Sequence, residues 1–362
     1  MDLVRNPKDS AYKKFSAQLL QWNREANNRQ MPWKGEKDPY RIWLSEIILQ
    51  QTRVEQGLDY YRRFIAAFPT VHDLAAAPEL QVFKLWEGLG YYSRCRNLMA
   101  TARYVSGSLG GVFPTDLHGL LQLKGVGPYT AAAIASFAYN LPHAVLDGNV
   151  FRVLARIGDE DTPSDTTEGK KLFARLAQET LPEGQAAEYN QAIMDFGATV
   201  CKPAPDCADC FFNKDCRAFF SGRQLLLPVK LKQTLVRERW FHYYIISDPG
   251  HRFALRQRTA RDIWQHLYEF PLVETGPEAT AAEALGQLQK SYGLTEAHFL
   301  PHEEPAAFRQ RLSHQLIHFT FTSLQLRQPH DLPGVSWVKK SELKAYPFPR
   351  TLKKVLEGVP EA

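Results

Sequence analysis

The sequence predicts a multidomain protein: an all-α part followed by a smaller α+β part. Apolar residues recur at helical spacing through almost all of residues 10–220, whereas aromatic and β-branched runs with strand character begin at Trp240. At 362 residues, with 44% hydrophobic and 23% charged content, the chain is long enough for two separate cores.

In the first part helices are expected over residues 12–27, 78–87, 94–106, 117–124, 128–140, 150–157, 167–179 and 186–198. A further helix opens at Asp38, a capping residue, with Pro39 in its first turn, and runs to about Phe68 with a break near Gly57. Residues 221–239 hold Pro228 and five Lys or Arg without a sustained apolar period, the pattern of a solvated linker with cations available to DNA. Strands follow at 240–247, 252–257, 312–326 and 336–338, with helices at 281–292 and 341–357. No internal repeat or low-complexity tract is present.

A net charge of +5 fits a polyanionic partner without demanding one. Residues 1–15 mix acids and lysines without an apolar core, unlike a secretory or transit segment. The longest weakly polar run, 130–141, falls short of the roughly 18 residues that span a bilayer. A cytoplasmic chain with no membrane role is expected, nucleoid-associated if bacterial.

Of five cysteines, Cys95 stands alone in a helical stretch and reads as a small buried apolar residue, while Cys201, Cys207, Cys210 and Cys216 fall together. Four thiols so close could not all pair without strain, so metal is the better reading; the spacing leaves zinc and iron-sulfur open.

Glu46 shares a helical face with Ile42 and Leu49. Burial raises a carboxyl pKa, as a general acid working near neutrality requires; the equal alternative is an ion pair with Arg41 or Arg53. Asp147, in Leu146-Asp147-Gly148-Asn149, precedes a helix whose free amides and dipole favour its anion. One carboxyl in apolar surroundings and one in an anion-stabilising position is the division of labour of glycosidic cleavage. Between them lies Leu123-Lys124-Gly125-Val126-Gly127-Pro128-Tyr129-Thr130-Ala131: two glycines for a tight turn, then Pro128 at a helix start whose amides suit a phosphate.

The hairpin at 123–131, Asp147 and the cysteine cluster together resemble the helix-hairpin-helix DNA glycosylases that carry an iron-sulfur cluster. Pro32-Trp33, Ser45-Glu46, Leu49-Gln50-Gln51-Thr52, the run Trp86-Glu87-Gly88-Leu89-Gly90-Tyr91-Tyr92-Ser93-Arg94 and Asp147-Gly148-Asn149 resemble the adenine-removing branch of that superfamily. The likeness spans nearly all of residues 10–220. It implies a helical catalytic glycosylase domain at 1–220 with an iron-sulfur loop at 201–216, a linker at 221–239, and a Nudix-like α+β domain at 240–362.

By the same resemblance Glu46 protonates a flipped adenine and then helps water add, and Asp147 stabilises the sugar cation or bonds it transiently. Asn149 is a polar neighbour of Asp147, and Tyr129 packs against the sugar where bifunctional relatives carry a Schiff-base lysine. A phenol forms no imine, so base removal with little strand cleavage is expected. Lys124, Gly125, Val126 and Gly127 are expected on DNA phosphates, Gln51 and Tyr91 in the base stack, and Arg29 and Lys34 among the DNA contacts. Leu312, Ser313 and His314 match a loop that reads 8-oxoguanine in the opposite strand. The module lacks a Glu-rich metal box, so it is expected to bind without hydrolysing.

The implied cofactor is a structural 4Fe-4S cluster on Cys201, Cys207, Cys210 and Cys216, and the hairpin is a candidate seat for a monovalent or divalent cation. The implied substrate is duplex DNA with adenine opposite 8-oxoguanine or guanine, acted on by a monomer with repair proteins as further partners. Rival readings are a glycosylase for thymine opposite guanine and a non-catalytic DNA-binding iron-sulfur protein. Three departures from the family pattern stand out: Cys201 to Cys207 encloses five residues instead of six, Lys34 follows Pro32-Trp33 where Arg is usual, and Leu312 replaces a frequent Phe. The role of Asp195, where relatives carry Asp or Glu, is left open.

Overall fold

A computed structural model describes residues 7–231, 236–300, 305–312 and 314–357. These form two compact units, neither continuous in sequence: residues 7–76 with 97–231, and residues 77–96 with 236–357. The helices, in chain order, are α1 (Pro7–Glu25), α2 (Pro39–Leu49), α3 (Val54–Ala67), α4 (Val71–Ala76), α5 (Glu79–Trp86), α6 (Tyr92–Ser108), α7 (Leu117–Gln122), α8 (Pro128–Tyr139), α9 (Gly148–Gly158), α10 (Thr167–Thr180), α11 (Ala186–Thr199) and α12 (Arg217–Phe220).

Capping chemistry sets where the helices of the first unit begin. Asp38 accepts from the Tyr40 amide at 2.9 Å with Pro39 next to it, Asp116 from Gly119 at 2.9 Å, Asp147 from Val150 at 2.8 Å and Thr166 from Gly169 at 3.0 Å. Each such cap is worth about 1 kcal/mol. The core is built by α1, α8, α9, α10 and α11 through Phe15, Leu19, Ala133, Val153, Leu154, Phe173, Ile193 and Phe196, all at most 1% exposed. Full burial of a side chain of this size contributes about 1.5–3 kcal/mol, so this packing outweighs the caps.

The break in the long segment after Asp38 falls at Gln50 to Arg53 and not at Gly57, which lies inside α3. Gln51, at φ 54°, turns the chain, and Gly57 answers a packing need: a Cβ there would stand 2.6 Å from Leu49 Cδ2. The stretch after the cysteines is not a solvated linker over its first half. Leu227 is 3% exposed in the first core, Arg223 pairs with Asp159 and Asp161 at 2.8 and 2.9 Å, and Ser164 donates to the Val229 carbonyl.

The second unit is a mixed seven-stranded sheet of β1 (Arg237–Ser247), β2 (Arg252–Gln257), β3 (Tyr268–Glu269), β4 (Leu272–Thr275), β5 (Ala306–Arg311), β6 (Gln315–Gln325) and β7 (Ser336–Lys339). Its centre is the parallel pair β1 and β6, in register from Arg237 opposite Gln315 to Ser247 opposite Gln325. Alternation sends Phe241, Tyr243 and Ile245 to one face, with Phe319 and Leu352, and Tyr244 and Ile246 to the other, with Leu288. Helix α13 (Ala281–Tyr292) covers that second face. The expected helix 341–357 is two pieces, α14 (Lys340–Leu343) and α15 (Arg350–Glu357), separated by a segment holding Pro347 and Pro349. The expected strand 312–326 is likewise shorter, with β5 a separate strand before it.

Residues 77–96 group with this sheet. Glu87 accepts from the Phe348 amide at 3.0 Å and from Lys353 at 2.9 Å, Lys84 donates to the Tyr346 carbonyl at 2.9 Å, and Phe83 stacks on His266 at 5.8 Å.

Gly197 on α11 lets α9 approach. A Cβ there would lie 2.6 Å from Asn149 Cβ and 3.2 Å from Asn149 Cα. Alanine gains about 1 kcal/mol of helix propensity, but relieving a clash against backbone costs about 1–3 kcal/mol. Gly197→Ala should therefore lower the urea midpoint of unfolding; a raised midpoint would show that α9 yields freely.

Candidate active site

A cleft of about 450 Å3 opens in the first unit where α2, α8, α9 and α11 converge, and Glu46, Tyr129, Asp147 and Asn149 all line it. Close packing of α2 on α8 sets Glu46 against Tyr129. Capping geometry sets Asp147 at the head of α9.

Glu46 is 6% exposed on the apolar α2. Its partner is the Tyr129 hydroxyl, which donates to it, and not an arginine: Arg41 pairs with Glu36 and Asp38 at 3.4 and 3.7 Å. Burial pushes the Glu46 carboxyl up to about 7; the nearby Asp147 charge adds to this, and the Tyr129 hydrogen bond opposes it. Tyr129 is held well above its ordinary value by burial and then by the charges of Glu46 and Asp147, so it is a neutral phenol. Its hydroxyl also lies 3.8 Å from Met194 Sδ.

Asp147 has the amide support expected of a cap: Oδ1 accepts from Val150 and Oδ2 from the Asn149 side chain at 2.9 Å. Burial nevertheless outweighs those donors and the nearby Arg152, and the net shift is upward. The two carboxyls are thus separated by degree of support, with Asp147 receiving the backbone amides and Glu46 a single phenol. Behind Asp147 a hydrogen-bonded line leads to the cysteine loop. Arg152 donates to Asn149 Oδ1 at 2.8 Å, to the Gly197 carbonyl at 2.7 Å and to the Cys201 carbonyl at 2.7 Å.

At the hairpin between α7 and α8, Gly125 takes φ 82°, and a Cβ there would meet Asn97 Cβ at 2.7 Å, so glycine is required on both counts. Val126 and Leu123 anchor the turn inward at 6% and 2% exposure, leaving Lys124, Gly125 and Gly127 exposed. Gly127 caps α8 without a side chain and Pro128 follows, so the start of α8 has no side-chain cap on its first-turn amides.

Gln51 lines the cleft and Tyr91 is 40% exposed in the second unit; both adopt left-handed backbone, at φ 54° and 49°. Such backbone is uncommon for residues other than glycine and persists only where the surrounding structure holds it. Trp86 and Tyr91 flank the Arg94 guanidinium at 5.3 and 5.4 Å. Arg29 lines the cleft, and with Lys34 it is drawn to the fully buried Asp195, at 2.9 and 3.2 Å. Sequence reasoning missed Gln191 and Met194, which also line the cleft. Their signal was present: Gln191, Met194 and Asp195 share one face of α11 at helical spacing.

Cys201, Cys207, Cys210 and Cys216 line one small cavity. Among the described residues no three His, Cys, Asp or Glu side chains converge as ligands of a single ion. Arg156, 2% exposed, ties the loop down by donating to Cys201 Sγ at 3.4 Å and to the Lys202 and Pro203 carbonyls at 2.7 and 2.9 Å. In the second unit Leu312, His314, Trp264 and Tyr91 line a separate cavity of about 480 Å3. Ser313 lies outside the described residues.

Residues 44–179 match the HhH-GPD superfamily of base excision DNA repair proteins, and residues 242–358 match the NUDIX domain. The adenine DNA glycosylase of Buchnera aphidicola subsp. Acyrthosiphon pisum is 30% identical over 353 residues, covering 95% of this chain and 97% of that one. The chain belongs to the adenine DNA glycosylase family. The human adenine DNA glycosylase is 42% identical over 217 residues, 56% of this chain and 39% of that one. Among solved structures, a thermostable thymine-DNA glycosylase aligns with TM-score 0.55 at 28% identity, covering 60% of this chain and all of that one. The family assignment makes the chain a DNA N-glycosylase of base excision repair, with a helical catalytic part followed by a Nudix-like part.

Glu46→Gln should lower the single-turnover rate of adenine release by roughly 10²–10⁴-fold, the usual worth of a general acid. In the parent protein that rate should fall as pH rises through about 7, where the acid ionises. The native state binds this proton more tightly than the unfolded chain, so Glu46 makes stability decline as pH rises from about 4 to about 7. Urea titrations over that window should show a shallower decline for Glu46→Gln; equal slopes would place the proton elsewhere.

Proposed function

We propose that this glycosylase removes adenine mispaired with 8-oxoguanine or guanine, by hydrolysis and without a covalent lysine intermediate. The observation that carries this reading is the pairing, in one cleft, of a carboxyl raised to about 7 by burial with a second carboxyl capped by backbone amides. Glu46, its carboxyl raised to about 7 so that a large share stays protonated near neutrality, gives its proton to the departing purine and then accepts one from the attacking water. Asp147, held by Val150 and Asn149, faces the positive charge that builds on the sugar. Tyr129, neutral and partly buried, shapes the sugar site and supplies no amine.

The exposed backbone at Gly125 and Gly127, with Lys124, suits a DNA phosphate, and Gln51 suits a place in the base stack. In the Nudix-like unit, Tyr91 and the cavity lined by Leu312, His314 and Trp264 support a reading role for the base opposite. The four cysteines fit a 4Fe-4S cluster better than a single ion: their thiols surround a common cavity, and Arg156 supplies a cation beside Cys201 Sγ. Bound there, the cluster would cross-link the loop structurally. The chain is taken to act as a monomer, with other repair proteins as its partners.

Duplexes bearing adenine opposite 8-oxoguanine, adenine opposite guanine, or thymine opposite guanine separate the alternatives. Free adenine from the first two and no thymine from the third is expected, with no protein-DNA adduct trapped by borohydride. Release of thymine alone, or of no base, would sink the reading. The protein as purified should show the broad visible absorption of an iron-sulfur cluster; a colourless zinc protein would overturn the cluster assignment.

A further inference from the structure

Asp195 is fully buried on α11, and its two oxygens are saturated by four donors. Oδ1 accepts from Arg29 at 2.9 Å and from Gln191 Nε2 at 3.0 Å; Oδ2 accepts from Asn27 at 2.9 Å and lies 3.2 Å from Lys34 Nζ. Lys34 also donates to the Arg29 carbonyl at 3.0 Å, so both cations are drawn to the carboxylate. An ionised carboxylate only accepts, whereas a glutamine amide has one accepting and one donating end. Gln191 must therefore turn its nitrogen to Asp195, because a flipped amide would bring two oxygens together at about that same separation. Gln191 lines the catalytic cleft, and with one N–H spent on Asp195 the groups it can offer a base are its carbonyl and its second N–H, the acceptor-donor pair that matches an amino group beside a ring nitrogen.

We propose that Asp195 is a positioning residue for base selection: it fixes the Gln191 amide so that the cleft offers a hydrogen-bond acceptor, favouring a base with an exocyclic amino group over one with a carbonyl there. Adenine carries an amino donor at that position, whereas guanine and hypoxanthine carry an acceptor. A site built to receive a donor is selective because the wrong base leaves buried groups unmatched. The inference rests on adenine being the released base and adds the residue that sets the polarity of its pocket.

The test measures single-turnover release from duplexes carrying adenine, unsubstituted purine or hypoxanthine opposite 8-oxoguanine, for the parent, Asp195→Asn, Asp195→Glu, Gln191→Leu and the double variant Asp195→Asn with Gln191→Leu. An Asn side chain offers either end to Gln191 and frees its amide to turn. Asp195→Asn should cut the adenine-over-hypoxanthine rate ratio at least tenfold, Gln191→Leu should do the same, and the double variant should lose no more than either. Asp195→Glu, still an acceptor only, should retain most of the ratio. Equal slowing of all three bases in Asp195→Asn would reduce Asp195 to a structural role and overturn the proposal. Should Asp195→Asn fail to fold, an unchanged ratio in Gln191→Leu overturns it by itself. Failure of the underlying function looks different, since the parent protein would then release no adenine.

Discussion

A proton kept on Glu46 at neutral pH is the condition on which the active cleft depends. It follows from where α2 packs: the helix is apolar, its close neighbour α8 brings no cation, and the groups that act on the carboxyl are the Tyr129 phenol and the Asp147 charge. Asp147 is partly buried and its carboxyl is also pushed up by desolvation, but two amides and an arginine oppose that shift. The same pair of side-chain types is thereby given two chemical characters by surroundings alone, which is how a hydrolase obtains both an acid and a charge stabiliser without a metal in the reacting step.

Helix beginnings do much of the positioning. The start of α8 is left without a side-chain cap, while the start of α9 is capped by a residue that also lines the cleft. Gly197 sets how closely α11 approaches α9, and Arg152 joins Asn149, Gly197 and Cys201 into one hydrogen-bonded unit. Arg156, one turn further along α9, does the same for the carbonyls of the cysteine loop. The cysteine loop and Asp147 are therefore anchored to a single helix.

Much of this was legible in the chain. Long helices with capping residues were placed to within a few residues, because periodicity and caps are local signals. Glu46 and Asp147 stood out because an acid on an apolar stripe and an acid before a helix are visible one element at a time, whereas Tyr129 and Asn149 came only from the family resemblance. Gln191, Met194 and the binding of Asp195 were not, since their meaning lies in Arg29 and Lys34, which are more than 150 residues away in sequence. The break after α2 was misplaced because Gly57 looks like a punctuator, whereas the turn is made by Gln51 in a conformation its identity does not advertise. Short pieces such as β3, α4 and α12 depend on their neighbours and leave little pattern of their own. Leu227, one of several apolar residues in the stretch after the cysteines and the one buried in the first core, escaped for the same reason.

The interleaving of the two compact units has a consequence for how such a protein can be cut or recombined. Because residues 77–96 side with the β-rich unit, severing the chain near residue 232 does not yield two self-sufficient halves. A helical fragment ending there would carry Phe83, Lys84 and Glu87 stripped of His266, Tyr346 and Lys353, an orphaned insert in the middle of an otherwise intact domain. Exchange of the β-rich module between relatives must for the same reason transplant Tyr91 along with it. Modular inheritance here follows packing and not the order of residues.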